Sequence, residues 1–321
     1  MIKGIPRISV YIVTYNQEDV IHRTIGSILT QIDYVYEICV SDDHSTDRTW
    51  NILQEYSKNY PGLFKLNRNE TNLGIFENTE KVWTMPTGDI VHDLAGDDCV
   101  GVGWFKKVVD FIISNKIDYK NELFCIYGDY KCIYPNGDTI VRHNDAISKT
   151  NGEYALKMSI RGIISSRSTC YSINILRKFK NVSQGKSYVV EDAQDKQLQI
   201  LAEKNYYISW IGNVYYSGIG VSTIKDPSFY EERLKINEYS ISLYEKWGVL
   251  IDEKDKRYAL KFLTAYHIFS HQHSLVAFLK MVYSYLMAKD NVLPKHKDSK
   301  LRNCLFAILR RLPHKNVLHF S

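Results

Sequence analysis

The sequence predicts an α/β fold, a mainly parallel sheet with helices on both faces. Three observations predict it. Short β-branched runs recur through the first hundred residues. Apolar residues at helical spacing fall between those runs. Three of the runs end in a polar cluster, at 14–16, 42–43 and 97–98.

Residues 8–13 are the first β-branched run, and Ile21, Ile25, Ile28 and Leu29 follow at helical spacing. Residues 37–41 form a second strand, which ends in Asp42-Asp43. Trp50, Leu53 and Tyr56 mark a helix over 46–56. Residues 64–66 are a third strand. A helix over 75–85 is stopped by Pro86 and Gly88. Residues 89–94 are a fourth strand and run into Gly96-Asp97-Asp98. Phe105, Val108, Val109 and Ile112 make the next helix. Alternation of this kind argues for a parallel sheet covered on both sides. In such sheets ligands sit at the carboxyl ends of the strands. Thr14-Tyr15-Asn16, Asp42-Asp43 and Asp97-Asp98 all fall there.

After residue 120 the pattern changes. Residues 124–134 and 139–142 flank Pro135-Asn136-Gly137-Asp138, a hairpin turn. Residues 150–225 mix short helices, strands and loops. Ser228 and Glu231 make a capping box, with Tyr230, Leu234, Ile241 and Tyr244 at helical spacing behind it. Helical patterns continue over 256–287. The 321 residues, 45% of them hydrophobic, suffice for a substantial core in two packed units. The boundary between them falls at 225/226.

The net charge of +5 is concentrated in the tail. Residues 289–321 carry eight Lys or Arg against two Asp, which leaves 33 basic and 34 acidic side chains elsewhere. That balance gives no basic surface for nucleic acid. The six cysteines lack the short spacing of a zinc or redox site and read as thiols of a reducing compartment, hence the cytoplasm. The N-terminal residues do not read as a signal peptide. The longest apolar stretch, 276–288, contains Lys280 and falls short of a membrane span.

Adjacent Asp97 and Asp98 at a strand end supply oxygens in a fixed place. A hard divalent cation takes such ligands, and it would neutralise a diphosphate leaving group. The same pair also suits the cap of a helix starting near Trp104. The acidic stretch 42–47 has two readings as well. A buried carboxylate there accepts hydrogen bonds from a nucleobase, or it forms a turn with Ser45 or Thr46 opening the next helix. Tyr15 either stacks on such a base or simply packs.

Taken together, these segments resemble the family 2 glycosyltransferases, which have the GT-A fold. The resemblance covers residues 8–112. It rests on Ile8-Ser9-Val10-Tyr11-Ile12-Val13-Thr14-Tyr15-Asn16 with Glu18, on Asp42-Asp43-His44-Ser45-Thr46-Asp47, and on Leu94-Ala95-Gly96-Asp97-Asp98. Asn72-Leu73-Gly74 with Asn78, then Thr87-Gly88-Asp89-Ile90, fits the connecting segment. The resemblance implies a GT-A domain over 1–225, with a nucleotide-binding half at 1–115 and an acceptor-binding half at 116–225. A helical region follows at 226–321. It implies that Thr14, Tyr15, Asn16, Glu18, Asn72 and Asp97 line the nucleotide-sugar pocket and that Asp42 binds the base edge. Asp98, with Asp97, would hold Mn²⁺ or Mg²⁺. Ala95 stands where the common Asp-x-Asp motif has its first carboxylate. Val190-Glu191-Asp192 resembles the late acidic motif, so Asp192, with Glu191 second, is the expected catalytic base. Residues 165–175 fall where acceptor contacts are expected, with Arg161 and Arg167 either meeting a phosphate there or standing as plain surface charges, and 215–222 where a loop covers the donor.

The implied activity is inverting transfer of a sugar from a UDP- or dTDP-sugar to an acceptor hydroxyl, as in bacterial surface polysaccharide assembly. A lipid-linked glycan acceptor would suit the tail. Leu301, Leu305, Ile308, Leu309 and Leu312 mark one face of a basic helix, which would lie on an anionic membrane surface or dock on the protein itself. Peripheral attachment to the inner face of the plasma membrane follows from the first choice. Other classes fit less well. No Gly-x-Gly-x-x-Gly follows the first strand, no P-loop is present, and the spans and Gln-x-x-Arg-Trp of a processive synthase are missing. His267, His271 and His273 read as a helix face, since no carboxylate accompanies them. The competing non-enzymatic reading is a nucleotide-sugar or glycan-binding protein on the same scaffold.

Overall fold

The structure, a computed structural model, describes residues 5–145, 169–178, 201–219 and 279. The chain divides into two compact units, Met1–Ser159 with Ile164–Ile224 and Ile160–Ile163 with Lys225–Ser321. All the described residues except Leu279 lie in the first.

The first unit is built on strands β1 (Ile8–Thr14), β2 (Val35–Asp42), β3 (Phe64–Arg68), β4 (Ile90–Ala95), β5 (Cys99–Val100), β6 (Phe124–Ile133), β7 (Thr139–Arg142), β8 (Thr169–Ser172) and β9 (Lys204–Tyr216). Helices α1 (Ile21–Leu29), α2 (Thr49–Asn59), α3 (Ile75–Trp83), α4 (Trp104–Ser114) and α5 (Ile173–Lys178) join or follow them. The strands form one sheet in the order β3-β2-β1-β4-β8-β6-β9-β5, and β7 pairs with β6. Strands β1 to β4 are parallel to one another where they pair. β8 enters antiparallel between β4 and β6. The chain thus steps from β1 outward to β2 and β3, then returns to the other side of β1 as β4. Such a reversal opens a crevice at the carboxyl ends of the strands.

β1 is buried along almost its whole length, as a parallel strand covered by helices on both faces must be. Ile8, Val10 and Ile12 are fully buried, and such burial contributes about 1.5–3 kcal/mol per side chain. α1 turns Ile21, Ile25 and Ile28 into the same core, and α4 adds Trp104, Phe105, Val108, Val109 and Ile112. The sheet and its helices therefore match the predicted α/β architecture. Among the described residues no helix is long and apolar enough to cross a membrane.

Two polar groups sit deep in this scaffold. Glu37, at the amino end of the sheet, accepts from Ser9 Oγ at 2.7 Å and from the Thr87 amide at 2.5 Å, and pairs with Lys65 Nζ at 2.6 Å. Burial pushes its carboxyl up, but those partners together hold it below the ordinary carboxylate value. It ties β1, β2, β3 and the turn before β4 together at the end opposite the crevice. His92, on β4, is fully buried against the edge of Phe105, with Cys170 Sγ 3.4 Å from its Nδ1. Burial lowers its pKa to about 4 and keeps the ring neutral.

Several elements differ from the sequence expectation. The hairpin at 135–138 is present, with Gly137 at φ 84°. α2 begins at Thr49 rather than Thr46, because Asp47 Oδ1 accepts the Thr49 amide and holds the preceding residues in a turn. β5 was not expected. β9 is one 13-residue strand, so Tyr215 and Tyr216 belong to a strand and not to a covering loop. β8 and the start of α5 are buried, which makes residues 169–173 core rather than acceptor contacts. The readings on Arg161, Arg167, Glu191, Asp192, the three histidines at 267, 271 and 273, the helices after 226 and the tail at 289–321 lie outside the described residues.

Candidate functional site

Parallel register brings three of the predicted clusters to one edge. Thr14 pairs with Asp42, Val13 with Ala95, and Asp42 with Arg68. Thr14, Asp42 and the turn after Ala95 therefore stand side by side where β1, β2 and β4 end. The amide of Asp43 donates to the Thr14 carbonyl and that of Gly96 to the Val13 carbonyl, so the ladders continue past the strands.

The turn after β1 is latched to the turn after β2. Thr14 Oγ1 donates to Gln17 Oε1 at 2.7 Å. Asn16 adopts a positive φ of 50°, a conformation Asn tolerates better than most side chains. Its amide donates to Ser45 Oγ at 2.9 Å, and its Oδ1 accepts the Thr46 amide at 2.8 Å. Glu18 and Asp47 exchange contacts: the Glu18 amide donates to Asp47 Oδ2, and Glu18 Oε2 accepts the Arg48 amide at 2.8 Å and pairs with its guanidinium. Tyr15, between these latches, keeps 45% of its surface exposed. Of the side chains at this turn, Tyr15 presents a broad apolar ring to solvent.

Asp42 is fully buried. Ser45 donates to both its oxygens, through its amide at 3.0 Å and through its hydroxyl, and Arg68 Nε lies 3.5 Å from Oδ2. Burial pushes this carboxyl up, against the lowering effect of Ser45 and Arg68. Asp42 thus closes a turn. Its neighbour Asp43, named in the sequence only as part of the Asp42-Asp43 cluster, holds the next segment. Asp43 Oδ1 accepts the Leu73 amide and Asn69 Nδ2, and Oδ2 accepts the Gly74 amide, each at 2.8 Å. A carboxylate on two consecutive amides at the start of α3 suits the positive end of the helix. Asn72, one residue before this grip, is exposed. Asn69, Asn78 and Ser41 form the buried amide network beneath it. The only sequence signal for Asp43 was its adjacency to Asp42.

The acidic turn after β4 is not a helix cap. α4 starts behind Gly103, itself at φ 73°, and no side chain caps it. Asp98 instead donates its amide to the Ala95 carbonyl, and its Oδ1 accepts the Tyr216 amide at 3.2 Å. Asp98 is 9% exposed, and Asp97 is half-buried. Gly96 passes so close to the turn after β1 that a Cβ there would collide with Gln17 Oε1 and meet the Val13 carbonyl at 3.1 Å.

One face of α1 reads the backbone of this turn. Thr24 Oγ1 donates to the Gly96 carbonyl at 2.8 Å, and Arg23 Nη2 to the Asp97 carbonyl at 2.7 Å. Ser27 Oγ accepts the Val100 amide at 3.0 Å. Gln31 donates to the Gly101 carbonyl and accepts the Phe105 amide, both at 3.0 Å. Residues 23, 24 and 27 share one face of α1, and Gln31 follows just past its end. Their contacts to backbone from 96 to 105 fix where Asp97 and Asp98 stand. The fit to a hard cation is partial. Two adjacent carboxylates offer the required oxygens. Among the described residues, however, no group of three or more His, Cys, Asp or Glu gathers to hold a metal ion.

Comparison with known proteins follows the same segment. Residues 9–158 match the model described as "Glycosyl transferase family 2". The poly(ribitol-phosphate) beta-N-acetylglucosaminyltransferase TarP of Staphylococcus aureus is 32% identical over 108 residues, 30% of this chain and 33% of that protein. Curated relatives of this kind are matched over about a quarter to a half of their own lengths, from 26% to 53%. Among solved structures, S. aureus TarS 1-349 in complex with UDP-GlcNAc has a TM-score of 0.59 at 18% identity, covering 95% of this chain and 88% of that one. The mannosyltransferase PcManGT from Pyrobaculum calidifontis, in complex with GDP-Man and Mn²⁺, has a TM-score of 0.52 at 14% identity, covering 98% and 89%. At such identities the structural likeness speaks for the fold.

Proposed function

We propose that this chain, whose residues 9–158 match the model of glycosyl transferase family 2, transfers a sugar from a nucleoside diphosphate carrier to an acceptor hydroxyl. One observation carries the proposal. Thr14, Asp42 and the Asp97-Asp98 turn meet at the carboxyl edge of three adjacent parallel strands, the place where an open α/β sheet binds its ligand.

In this reading the nucleoside lies over the turns after β1 and β2. Tyr15 offers its exposed ring to the base, and Asn72 lies at the rim. Thr14, Asn16, Glu18 and Asp42 shape the pocket, Asn16 and Glu18 through the latches that hold its two turns together and Asp42 by closing its own turn, and Asp42 stands at the base edge. The diphosphate then falls towards Asp97 and Asp98. Asp98, with Asp97 beside it, would hold a divalent cation, Mn²⁺ or Mg²⁺. When bound, that cation neutralises the charge gathering on the departing diphosphate. The Asp98 carboxylate is held ready by the Tyr216 amide, so little reorganisation precedes binding. Adjacent carboxylates would tolerate each other better with a cation bound.

The acceptor hydroxyl needs a base as it attacks. Asp192, with Glu191 next to it, is assigned that role by the resemblance of its motif. A single displacement from the face opposite the diphosphate inverts the anomeric carbon. UDP- and dTDP-sugars are the proposed donors. TarS was solved with UDP-GlcNAc, which supports a UDP-sugar donor, and TarP is named as acting on poly(ribitol-phosphate), which supports a polymer acceptor. A lipid-linked glycan approached from the inner face of the membrane, with the basic tail at 289–321 on that surface, is the acceptor we propose.

A donor panel tests the reaction. Purified protein with Mn²⁺, a glycan acceptor and each of several UDP- and dTDP-sugars should release nucleoside diphosphate from one donor class, and Asp192→Asn should abolish transfer. Release from none of them, with Asp192→Asn indistinguishable from wild type in ligand binding, would favour a binding protein on this scaffold. A sugar covalently attached to the protein, seen by mass spectrometry, would contradict single displacement.

A further inference from the structure

Arg23 has no role in the reading above, yet it touches both sides of the acidic turn. Its Nη2 donates to the Asp97 carbonyl at 2.7 Å. Its guanidinium carbon lies 3.4 Å from the centroid of the Tyr216 ring, flat-stacking distance. The Tyr216 amide in turn donates to Asp98 Oδ1. Arg23 Nε is buried without a hydrogen-bond partner. One planar group therefore grips the turn at Asp97 through its edge and the end of β9 through its face. The neighbouring polar residues, Thr24 and Ser27 on α1 and Gln31 just past its end, are neutral.

We infer that Arg23 is the positioning residue of the acidic turn, holding the Tyr216 amide on Asp98 and so setting the Asp98 carboxylate for a divalent cation beside a diphosphate. The inference rests on the reading of Asp97 and Asp98 given above. Two effects of Arg23 oppose each other. Its positive charge repels an incoming cation, and its clamp presents the carboxylate that binds one. The two contacts indicate which dominates. A guanidinium that lies over a ring while its edge donates to backbone acts through its planar shape as well as its charge. Lysine keeps the charge and can donate from its ammonium, but has no plane to stack while it donates.

The test uses the full chain, with Mn²⁺ and either UDP or dTDP as probes. Free Mn²⁺ is read by electron paramagnetic resonance, metal-free nucleotide binding by calorimetry, and folding by circular dichroism. Arg23→Met keeps the packed stem, and Arg23→Lys keeps the charge. Arg23→Met should weaken Mn²⁺ uptake in the presence of nucleotide by roughly 10-fold or more, as loss of a group that orients a metal ligand does. Metal-free nucleotide binding should be unchanged, and Arg23→Lys should recover part of the uptake. In Tyr216→Leu, adding Arg23→Met should cost nothing more, because both act through one stack. Wild-type or tighter Mn²⁺ uptake by Arg23→Met, with uptake lost in Asp98→Asn, would overturn the inference and leave the reading of the acidic turn intact. Absence of Mn²⁺ uptake by wild type with both nucleotides would remove that reading, and the inference with it.

Discussion

The amide of Tyr216 donates to Asp98 Oδ1 at 3.2 Å across 118 positions of sequence. This bond ties the turn after β4 to the last residue of β9. It makes Asp98 the carboxylate whose place is set by the fold, while Asp97 is held through its carbonyl. Asp98→Asn preserves the acceptor oxygen and removes the charge. It should leave the unfolding temperature close to wild type and lower transfer by about 10²-fold or more, the scale of losing one preorganised electrostatic group. Asp97→Asn should cost less. Equal losses in the two variants would mean that the pair acts without distinction.

Gly96 predicts a steric effect. A Cβ there meets Gln17 Oε1 and the Val13 carbonyl, and the latter is backbone that cannot yield without bending β1. Gly96→Ala should destabilise the fold by about 1–3 kcal/mol, as overpacking does, and weaken cation uptake as the turn shifts. Urea unfolding checks the first effect. A variant as stable as wild type would show that the two turns are not in contact.

Much of this was legible in the sequence. β1, β2 and β4 are apolar, β-branched and bounded by polar clusters, and their alternation with helical spacing sufficed to bring Thr14, Asp42 and Asp97-Asp98 to one edge. The hairpin announced itself through Pro135-Asn136-Gly137-Asp138. β5 and β9 did not. β5 is two residues long and exists because β9 pairs with it. β9 breaks its own periodicity: its register with β6 slips between Tyr127 and Tyr130, and Trp210 within it is 41% exposed. Residues 169–173 looked like a place for acceptor contacts because nothing local shows that β8 is wedged between β4 and β6. Arg23 was invisible for a different reason. A charged residue on an amphipathic helix reads as solvated, and only tertiary structure brings Asp97 and Tyr216 against it. The latches of Asn16 and Glu18 and the turn closed by Asp42 were equally hidden, since a polar side chain at a strand end gives no sign of whether it faces a ligand or protein.

Glu37 predicts a loss of stability at the end opposite the crevice. Glu37→Gln would keep one acceptor but lose the charge that meets Lys65, and hydrogen bonds to charged groups contribute about 1.5–3 kcal/mol each. The carboxyl is held below its ordinary value in the folded protein, so this stabilisation is present above the unfolded value and is lost as pH falls through the folded one. Chemical unfolding of wild type and Glu37→Gln should therefore differ at neutral pH and converge in acid. A constant difference across that range would show that the charge of Glu37 is not what matters.

His92 predicts a second pH window, higher than that of Glu37. In the folded state its pKa is about 4, and an unfolded histidine titrates near ~6.5. Between these values the unfolded chain binds the extra proton, so stability falls as pH falls, by up to about 1.4 kcal/mol per unit for one group. His92→Leu should flatten that part of the profile. An unchanged slope would mean that the buried ring is protonated in the fold.

The central claim is that the Asp97-Asp98 turn, presented at the carboxyl edge of β1, β2 and β4, serves a cation and the diphosphate of a sugar donor. Nucleoside diphosphate release, measured with and without Mn²⁺ for wild type and Asp98→Asn against UDP- and dTDP-sugars, tests it most directly. Wild type should release nucleoside diphosphate until the metal is chelated, and Asp98→Asn should release none above background. Release that survives both chelation and Asp98→Asn would contradict it.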